Sequence, residues 1–332
     1  MAHRVAVTRK LPELGEQLLN EASARGEIDV VRWNADLPPF PQELDRLLAH
    51  ADGAITLLTE PITAALLDHH TKLRVISNFA VGYDNIDVQA ATARKIAVCN
   101  TPGVLTDATA DLAFTLLMTA ARRIPEGVDY VRDGKWKTWS PTLLLGQEIT
   151  GATLGIVGFG RIGKEMARRG AGFGMRILAC DEHQDKQAAS EIGVTFASLD
   201  DLLRESDYVS LHCTLTDDTR HLIGAREFDL MKSSAVLINA ARGPVVDTDA
   251  LVAALTNGTI WAAGLDVTDP EPLPEDHPLV LLPNCVVVPH IASGTIVTRN
   301  EMARLAVENC LAVLRGTTPP HCVNPEVLPV SD

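Results

Sequence analysis

The residues with the clearest chemical meaning form a glycine-rich turn, G-I-V-G-F-G-R-I-G, at positions 155–163. A G-x-G-x-x-G turn between a strand and a helix brings backbone N–H groups and the positive end of the helix dipole against a phosphate. Because a short apolar run precedes this turn and a helix-like segment follows it, the pattern predicts a dinucleotide-binding turn. We assign to this turn the residues Gly158, Gly160, Arg161, Ile162 and Gly163.

Each glycine of the turn has its own expected task. Gly158 makes the tight turn, Gly160 lets the backbone approach a pyrophosphate, and Gly163 lets the helix pack closely on the strand. The alternative is an ordinary turn in a glycine-rich chain.

Asp181 ends the next strand-like run, about 20 residues after Gly158, where an acid is expected to bind the adenosine ribose. A carboxylate there accepts hydrogen bonds from two free ribose hydroxyls and repels a 2′-phosphate. Residues 182–184 supply no arginine that could hold that phosphate. The sequence therefore predicts NAD rather than NADP, and the alternative is that Asp181 is only a turn residue at a strand end.

Three further polar residues follow strand-like runs, namely Arg242, Glu271 and His290. Taken singly, each is more often a solvated or structural residue than a functional one. Together they match what a hydride transfer to a 2-oxo acid requires. A guanidinium holds carboxylate and keto oxygens in a planar fork. A histidine donates the proton, and a carboxylate behind it orients the imidazole and favours its charged form.

These groups need parallel strands to position them, since ligands bind at the carboxyl ends of such strands. Short apolar runs alternate with helix-like segments along most of the chain, which predicts an α/β fold with parallel sheets. The predicted strands are Arg4–Thr8, Ile28–Arg32, Gly53–Leu57, Arg74–Asn78, Ile96–Cys99, Leu154–Val157, Arg176–Cys180, Tyr208–His212, Ala235–Asn239, Ala262–Asp266 and Cys285–Pro289.

Two long helices frame the second group of strands. The segment 107–122 is apolar almost all round, so we expect a second domain or a second subunit to cover it. A loop with two tryptophans follows at 133–147. The other helix, at about 296–315, comes after the last strand. One economical architecture therefore inserts the cofactor domain between the first part of the chain and its C-terminal helix.

Composition restricts the possible partners. The chain has 332 residues, a formal net charge of −14 and no basic run, so nucleic acid and anionic membrane are not expected partners. The six cysteines are scattered, which predicts no metal site. The first residues lack the apolar region of a signal peptide, and we expect a cytoplasmic protein.

The segments I-N-A-A-R-G-P-V-V-D at 238–247, G-L-D-V at 264–267 with Glu271-Pro272, and P-H-I at 289–291 resemble the D-isomer-specific 2-hydroxyacid dehydrogenases. The resemblance covers nearly the whole chain. The segments F-A-V-G-Y-D-N-I-D at 79–87 and N-T-P-G-V-L-T-D at 100–107 look most like the glyoxylate/hydroxypyruvate/2-ketogluconate reductase branch.

The resemblance implies a fold and a domain arrangement. A Rossmann-type NAD domain at 101–290 would be inserted in a flavodoxin-like substrate domain formed by residues 1–100 and 291–332. A homodimer would form through residues 107–147.

The resemblance also implies residue roles. His290 is the acid/base, Glu271 its partner, and Arg242 binds the substrate. Backbone N–H groups at Val81 and Gly82 would hold the substrate carboxylate. Substrate contacts from Leu57 and Trp139, and cofactor contacts from Thr106, Cys213, Ala240 and Asp266, complete the predicted site.

The implied activity is the NADH-dependent reduction of glyoxylate and hydroxypyruvate to D-2-hydroxy acids. Two alternatives stay open. One is an enzyme that resembles D-3-phosphoglycerate dehydrogenase, and the other is an NAD-sensing binding protein of the same fold.

Overall fold

The computed structural model describes residues 2–329. The chain forms two compact units, one built from Met1–Leu105 with Gly294–Asp332 and the other from Thr106–Ser293. The second unit is thus inserted in the first, with its boundaries after residues 105 and 293. Residue 1 and residues 330–332 of the predicted domain ranges lie outside the described residues.

The outer unit contains a five-stranded parallel sheet in the order β2-β1-β3-β4-β5, which is the flavodoxin-like order. Its strands are β1 (His3–Val7), β2 (Ile28–Arg32), β3 (Gly53–Thr56), β4 (Val75–Asn78) and β5 (Ala97–Cys99). Its helices are α1 (Glu13–Ala24), α2 (Pro41–Leu48), α3 (Ala64–Asp68), α4 (Val88–Ala93) and, after the inserted unit, α13 (Ile296–Leu314).

The inserted unit contains a seven-stranded parallel sheet in the order β12-β11-β10-β9-β6-β7-β8. Its strands are β6 (Thr153–Val157), β7 (Arg176–Cys180), β8 (Val194–Phe196), β9 (Tyr208–Leu211), β10 (Val236–Asn239), β11 (Ala262–Leu265) and β12 (Cys285–Val287). Its helices are α5 (Thr106–Ala121), α6 (Ile124–Arg132), α7 (Arg161–Gly172), α8 (Lys186–Ile192), α9 (Leu199–Glu205), α10 (Ala225–Leu230), α11 (Thr248–Thr256) and α12 (Pro278–Leu281).

The order of the inserted sheet determines where a ligand can bind. The first strand, β6, lies between β7 and β9, so the chain order reverses beside it. Such a switch point opens a crevice at the carboxyl ends of the strands. The glycine-rich turn directly follows β6 and lies at this crevice.

Burial on both faces explains why the strands read as continuous apolar runs. All four residues of β9, β10 and β11 are buried. Side-chain caps fix several helix starts, because the carboxylate of Asp247 and the hydroxyls of Ser198 and Thr295 each accept a backbone N–H from the first helical turn. No helix within residues 2–329 has the length and apolar character needed to cross a bilayer.

Helix α5 packs on α7, β10 and β11 of its own unit, where nine of its sixteen residues are buried. The expectation that a second subunit also covers this helix stays a prediction. A Cβ on Gly264 of β11 would lie 3.0 Å from the Cβ of Leu116, so this glycine allows the close approach of α5 to the sheet. Helical periodicity predicted the burial correctly but could not identify the element that provides it.

Candidate active site

Two glycines of the turn, Gly158 and Gly163, lie where backbone leaves no room for a side chain. Gly158 has a φ of +94°, and a Cβ there would lie 2.5 Å from the backbone nitrogen of Cys213. A Cβ on Gly163 would lie 2.1 Å from the carbonyl oxygen of Gly158. Any side chain at these two positions would therefore collide with backbone.

Gly160 differs from the other two glycines, because a Cβ at this position would meet nothing within 4 Å. It is the N-cap residue of α7, and no side chain caps the helix there. The first N–H groups of a helix have no intrahelical partner and favour an anion. The space beside Gly160 therefore fits a dinucleotide pyrophosphate.

Asp181 follows β7 and reaches back to the turn. One carboxylate oxygen accepts the N–H of Phe159 at 2.6 Å, and the other accepts the N–H of His183 at 2.8 Å. Each oxygen has a further lone pair for a ribose hydroxyl. Residues 182–184 are exposed and contain no arginine.

The acid/base candidate, His290, is held by a buried carboxylate. Asp266 follows β11 and accepts the N–H groups of Ile291 and Ala292 at 2.7 and 3.0 Å. Its own carbonyl accepts the N–H of His290 at 2.9 Å. His290 adopts a left-handed conformation with a φ of +50°, which costs about 1 kcal/mol for a residue with a Cβ. The three hydrogen bonds hold the turn in this conformation.

His290 and Glu271 form a direct pair, in which Nδ1 of the imidazole lies 2.6 Å from Oε1 of the carboxylate. Burial alone would raise the pKa of Glu271. The hydrogen bond and charge of His290, together with the charge of Arg242, outweigh that effect and lower the pKa below its usual value. Glu271 is therefore an anion at neutral pH, and it orients the ring so that Nε2 faces away from the pair.

Arg242 follows β10 on a turn fixed by Asn239. The Asn239 side chain donates to the carbonyl of Arg242 at 2.9 Å and accepts the N–H of Ala241 at 3.0 Å. A Cβ on Gly243 would lie 1.9 Å from the carbonyl oxygen of Thr268, so the Arg242 turn packs directly on the loop that carries Glu271. The structure thus brings together the three residues that the sequence singled out.

A second histidine at the same edge of the sheet, His212, does not have the properties of an acid/base. It is half-buried, its Nε2 pairs with the Ser210 hydroxyl at 2.8 Å, and desolvation of the ring lowers its pKa to about 4. Its Nδ1 has no hydrogen-bond partner within residues 2–329. His212 is neutral at physiological pH and has no carboxylate partner comparable to Glu271.

The predicted substrate amides lie in the outer unit, in the loop after β4. The carbonyl of Ala80 accepts the N–H of Thr101 at 2.9 Å, and the carbonyl of Val81 accepts from the Asn100 side chain at 2.8 Å. The Ala80–Val81 and Val81–Gly82 peptides are both trans. In a trans peptide the N–H points away from the carbonyl, so the N–H groups of Val81 and Gly82 point in the opposite direction to these two carbonyls. The loop thus presents two neighbouring N–H groups away from its own anchors.

The remaining predicted contacts have simpler surroundings. Thr106 begins α5, Cys213 follows β9 beside Gly158, and Ala240 follows β10. Leu57 directly follows β3 in the outer unit. Trp139 lies in the loop after α6 and is 78% exposed, and its predicted contact with the substrate stays a prediction.

Sequence reasoning missed the residues that hold the site in place. It predicted a contact of Asp266 with the nicotinamide, which stays a prediction, but not that both carboxylate oxygens of Asp266 accept backbone N–H groups of the His290 turn. It assigned no role to Asn239 or Gly243. An asparagine at a strand end, which favours side-chain bonds to nearby backbone, was the available signal for Asn239.

Comparisons with known proteins find relatives along nearly the whole chain. Residues 114–292 match the family described as D-isomer specific 2-hydroxyacid dehydrogenase, NAD binding domain. A glyoxylate reductase from Korarchaeum cryptofilum is 49% identical over 99% of this chain and 98% of that protein.

Two solved structures show the same architecture. The TT0316 protein from Thermus thermophilus is 47% identical with a TM-score of 0.88, over 96% of this chain and 99% of that one. An NADPH-dependent glyoxylate/hydroxypyruvate reductase from Sinorhizobium meliloti, solved with NADP and malonate, is 32% identical with a TM-score of 0.83 over 100% of both chains.

The open space at Gly160 gives a direct test of the cofactor turn. Gly160→Ala adds a methyl group where the protein leaves room, so the fold should keep its thermal stability. The same methyl group should weaken NADH binding about tenfold or more, because it occupies the space assigned to the pyrophosphate. Fluorescence titration with NADH measures the effect. Gly172→Ala, at the open end of the same helix, is the matched control and should bind NADH normally. Equal affinities in the two variants would contradict the assignment.

Proposed function

The chain belongs to the D-isomer specific 2-hydroxyacid dehydrogenase family, and from that premise we propose that it reduces small 2-oxo acids to D-2-hydroxy acids with NADH. The observation that carries the proposal is the pairing of His290 with Glu271 at 2.6 Å, beside the charge of Arg242. A proton donor, its anionic partner and a guanidinium are the groups that carbonyl reduction needs.

The proposed mechanism divides the work among these side chains. A bound nicotinamide supplies the hydride. The guanidinium of Arg242 holds the carboxylate and keto oxygens of the substrate in one plane. Nε2 of His290 donates a proton to the oxygen that becomes the hydroxyl. Glu271 stabilises the imidazolium before that transfer, and the N–H groups of Val81 and Gly82 bind the substrate carboxylate.

We propose glyoxylate and hydroxypyruvate as substrates. The relatives named as glyoxylate reductases support this choice, as does the Sinorhizobium meliloti structure named as a glyoxylate/hydroxypyruvate reductase. Leu57 offers no positive charge, so a substrate with a distal phosphate should bind poorly. This argument disfavours the 3-phosphoglycerate dehydrogenase alternative.

The activity itself is tested by following NADH oxidation with glyoxylate, hydroxypyruvate and 3-phosphohydroxypyruvate. We expect turnover with the first two and D-glycerate as the product of the second. His290→Ala should reduce turnover about 10²–10⁴-fold, the usual contribution of general acid catalysis. Binding of NADH without any turnover would favour the NAD-sensing alternative. A preference for 3-phosphohydroxypyruvate would favour an enzyme that resembles D-3-phosphoglycerate dehydrogenase.

NADH preference is a separate proposal, because the Sinorhizobium meliloti relative is NADPH-dependent. It rests on the Asp181 carboxylate, which would repel a 2′-phosphate, and on the absence of arginine at 182–184. We expect a higher kcat/KM with NADH than with NADPH. Asp181→Ala should reduce the ratio of kcat/KM with NADH to kcat/KM with NADPH. Similar values of kcat/KM for both cofactors in the unaltered protein would contradict the proposal.

The His290–Glu271 pair predicts a specific pH dependence. Reduction requires the imidazolium, so the rate falls as rising pH removes its proton. Because the lowered pKa of Glu271 keeps this group anionic at neutral pH, it favours the imidazolium. Glu271→Gln removes the anion and should move the descending limb of the kcat/KM profile to lower pH, by about one pH unit. Glu275→Gln, on the same loop and exposed, is the control. An unmoved limb in Glu271→Gln would exclude this role.

We also propose a homodimer through residues 107–147. The proposal rests on the exposed surface of α6 and the loop after it, not on the buried face of α5. Helix α6 and the loop after it expose several large apolar side chains, a concentration that is unusual for a monomer. Light scattering at micromolar concentration should give twice the chain mass, and the mass of one chain would contradict the proposal. The exposed side chains are Ile124, Val128, Val131, Trp136, Trp139 and Leu145.

A further inference from the structure

A fully buried carboxylate, Glu60, lies in the outer unit just after β3. Its Oε2 accepts the N–H of Leu57 and the hydroxyl of Thr8, both at 2.6 Å. Its Oε1 accepts the hydroxyl of Thr59 at 2.6 Å and pairs with the guanidinium of Arg9 at 3.3 Å. A buried charge is costly unless it is paired and hydrogen-bonded, and here four donors satisfy it.

Asn85 connects the segment 57–60, which this carboxylate holds through the N–H of Leu57, to the loop after β4. Its Nδ2 donates to the carbonyls of Leu57 and Glu60 at 3.0 and 2.9 Å. Its Oδ1 accepts from Nδ2 of Asn78 at 3.3 Å, and that same Nδ2 donates to the carbonyl of Gly82 at 2.9 Å. A path of hydrogen bonds therefore runs from the main-chain carbonyls of Leu57 and Glu60 to the carbonyl of Gly82, and the Glu60 carboxylate holds the start of that path through the N–H of Leu57.

Gly82 is consequently held from both sides. Asn100 fixes the peptide before it, through the carbonyl of Val81, and Asn78 fixes the peptide after it. The first anchor is local to the strand ends. In the second, the Asn78 side chain is itself held on one side by the hydroxyl of Thr56 at 3.2 Å and on the other by Oδ1 of Asn85 at 3.3 Å. Small shifts of a group that binds the substrate carboxylate reduce catalysis strongly, because orientation is lost.

We infer that Glu60 is a positioning residue, which holds Leu57 directly and acts through the 57–60 segment, Asn85 and Asn78 to set the position of Gly82. The inference rests on the proposed function, since it assigns these groups to the substrate. Glu60 itself is buried behind Leu57 and does not touch the substrate. Its effect should appear in the KM for the 2-oxo acid, not in the KM for NADH.

Glu60→Gln tests this with almost no change in shape. Its amide nitrogen must face either the N–H of Leu57 or the guanidinium of Arg9, and both are donors, so one hydrogen bond is lost in either orientation. We expect kcat/KM for glyoxylate to fall about tenfold or more, mostly through KM. The KM for NADH should stay within twofold of the unaltered protein.

Glu16→Gln is the matched control in the same unit. Glu16 also accepts a backbone N–H, from Leu11 at 3.0 Å, and pairs with Arg32 at 3.0 Å, but it has no link to the loop after β4. The KM of the Glu16→Gln variant for glyoxylate should equal that of the unaltered protein. Amide hydrogen exchange gives a second readout, in which Glu60→Gln should exchange faster at residues 78–85 and Glu16→Gln should not.

A KM for glyoxylate within twofold of the unaltered protein would overturn the positioning role of Glu60. If Glu60→Gln does not fold, Asn85→Ala carries the same test, because it breaks the link and leaves the partners of Glu60 in place. If the unaltered protein reduces no 2-oxo acid, the proposed function fails. Unchanged exchange at residues 78–85 in the variant would then overturn the positioning role independently.

Discussion

The candidate site depends on one buried carboxylate. Asp266 directly follows β11. Its carboxylate accepts the two backbone N–H groups that follow His290, and its carbonyl accepts the N–H of His290 itself. These bonds join the ends of β11 and β12 and keep His290 in a left-handed conformation that its Cβ disfavours. This turn presents the imidazole to Glu271, whose Oε1 lies 2.6 Å from Nδ1 of the ring. Asp266 is 1% exposed, and this burial raises the pKa of its carboxyl group.

The same hydrogen-bonding arrangement occurs at the ends of other strands. Asn239 closes the turn that carries Arg242, and Asn78 closes the loop that carries Gly82. In each case a buried polar side chain ends a parallel strand and binds the backbone of the residues that follow it. The strands form a rigid sheet. Hydrogen bonds from these side chains hold the adjoining loops, where the chemistry is proposed, in fixed positions on that sheet. Such loops keep their geometry without regular secondary structure.

The sequence predicted the parts of the molecule that have local signals. The three glycines, the acid after β7 and the two parallel sheets were all recognisable from spacing and apolar runs. The strand β8 was missed because it has three residues at the edge of the sheet and is not fully buried. Helix α6 was missed because its apolar residues are exposed and gave no core pattern.

The supporting hydrogen bonds could not be predicted for a different reason. Asp266 binds residues 25 and 26 positions later, and Asn85 binds Leu57, 28 positions earlier. Such partners become neighbours only after the sheet has formed, so no local pattern identifies them. The cover of α5 by its own unit is a similar case. The spacing of residues in the sequence therefore identified the groups with chemical roles. The residues that hold those groups in place could be identified only from the folded structure.

The most direct test of this account is the rate of a single turnover in Asp266→Asn, measured by stopped flow at saturating NADH and glyoxylate. Asparagine keeps the size of the side chain, but its amide nitrogen faces a backbone N–H that it cannot bind. If the Asp266 turn holds His290 in place, the rate of NADH oxidation should fall about 10²-fold. A folded Asp266→Asn protein with a rate within twofold of the unaltered protein would contradict the account.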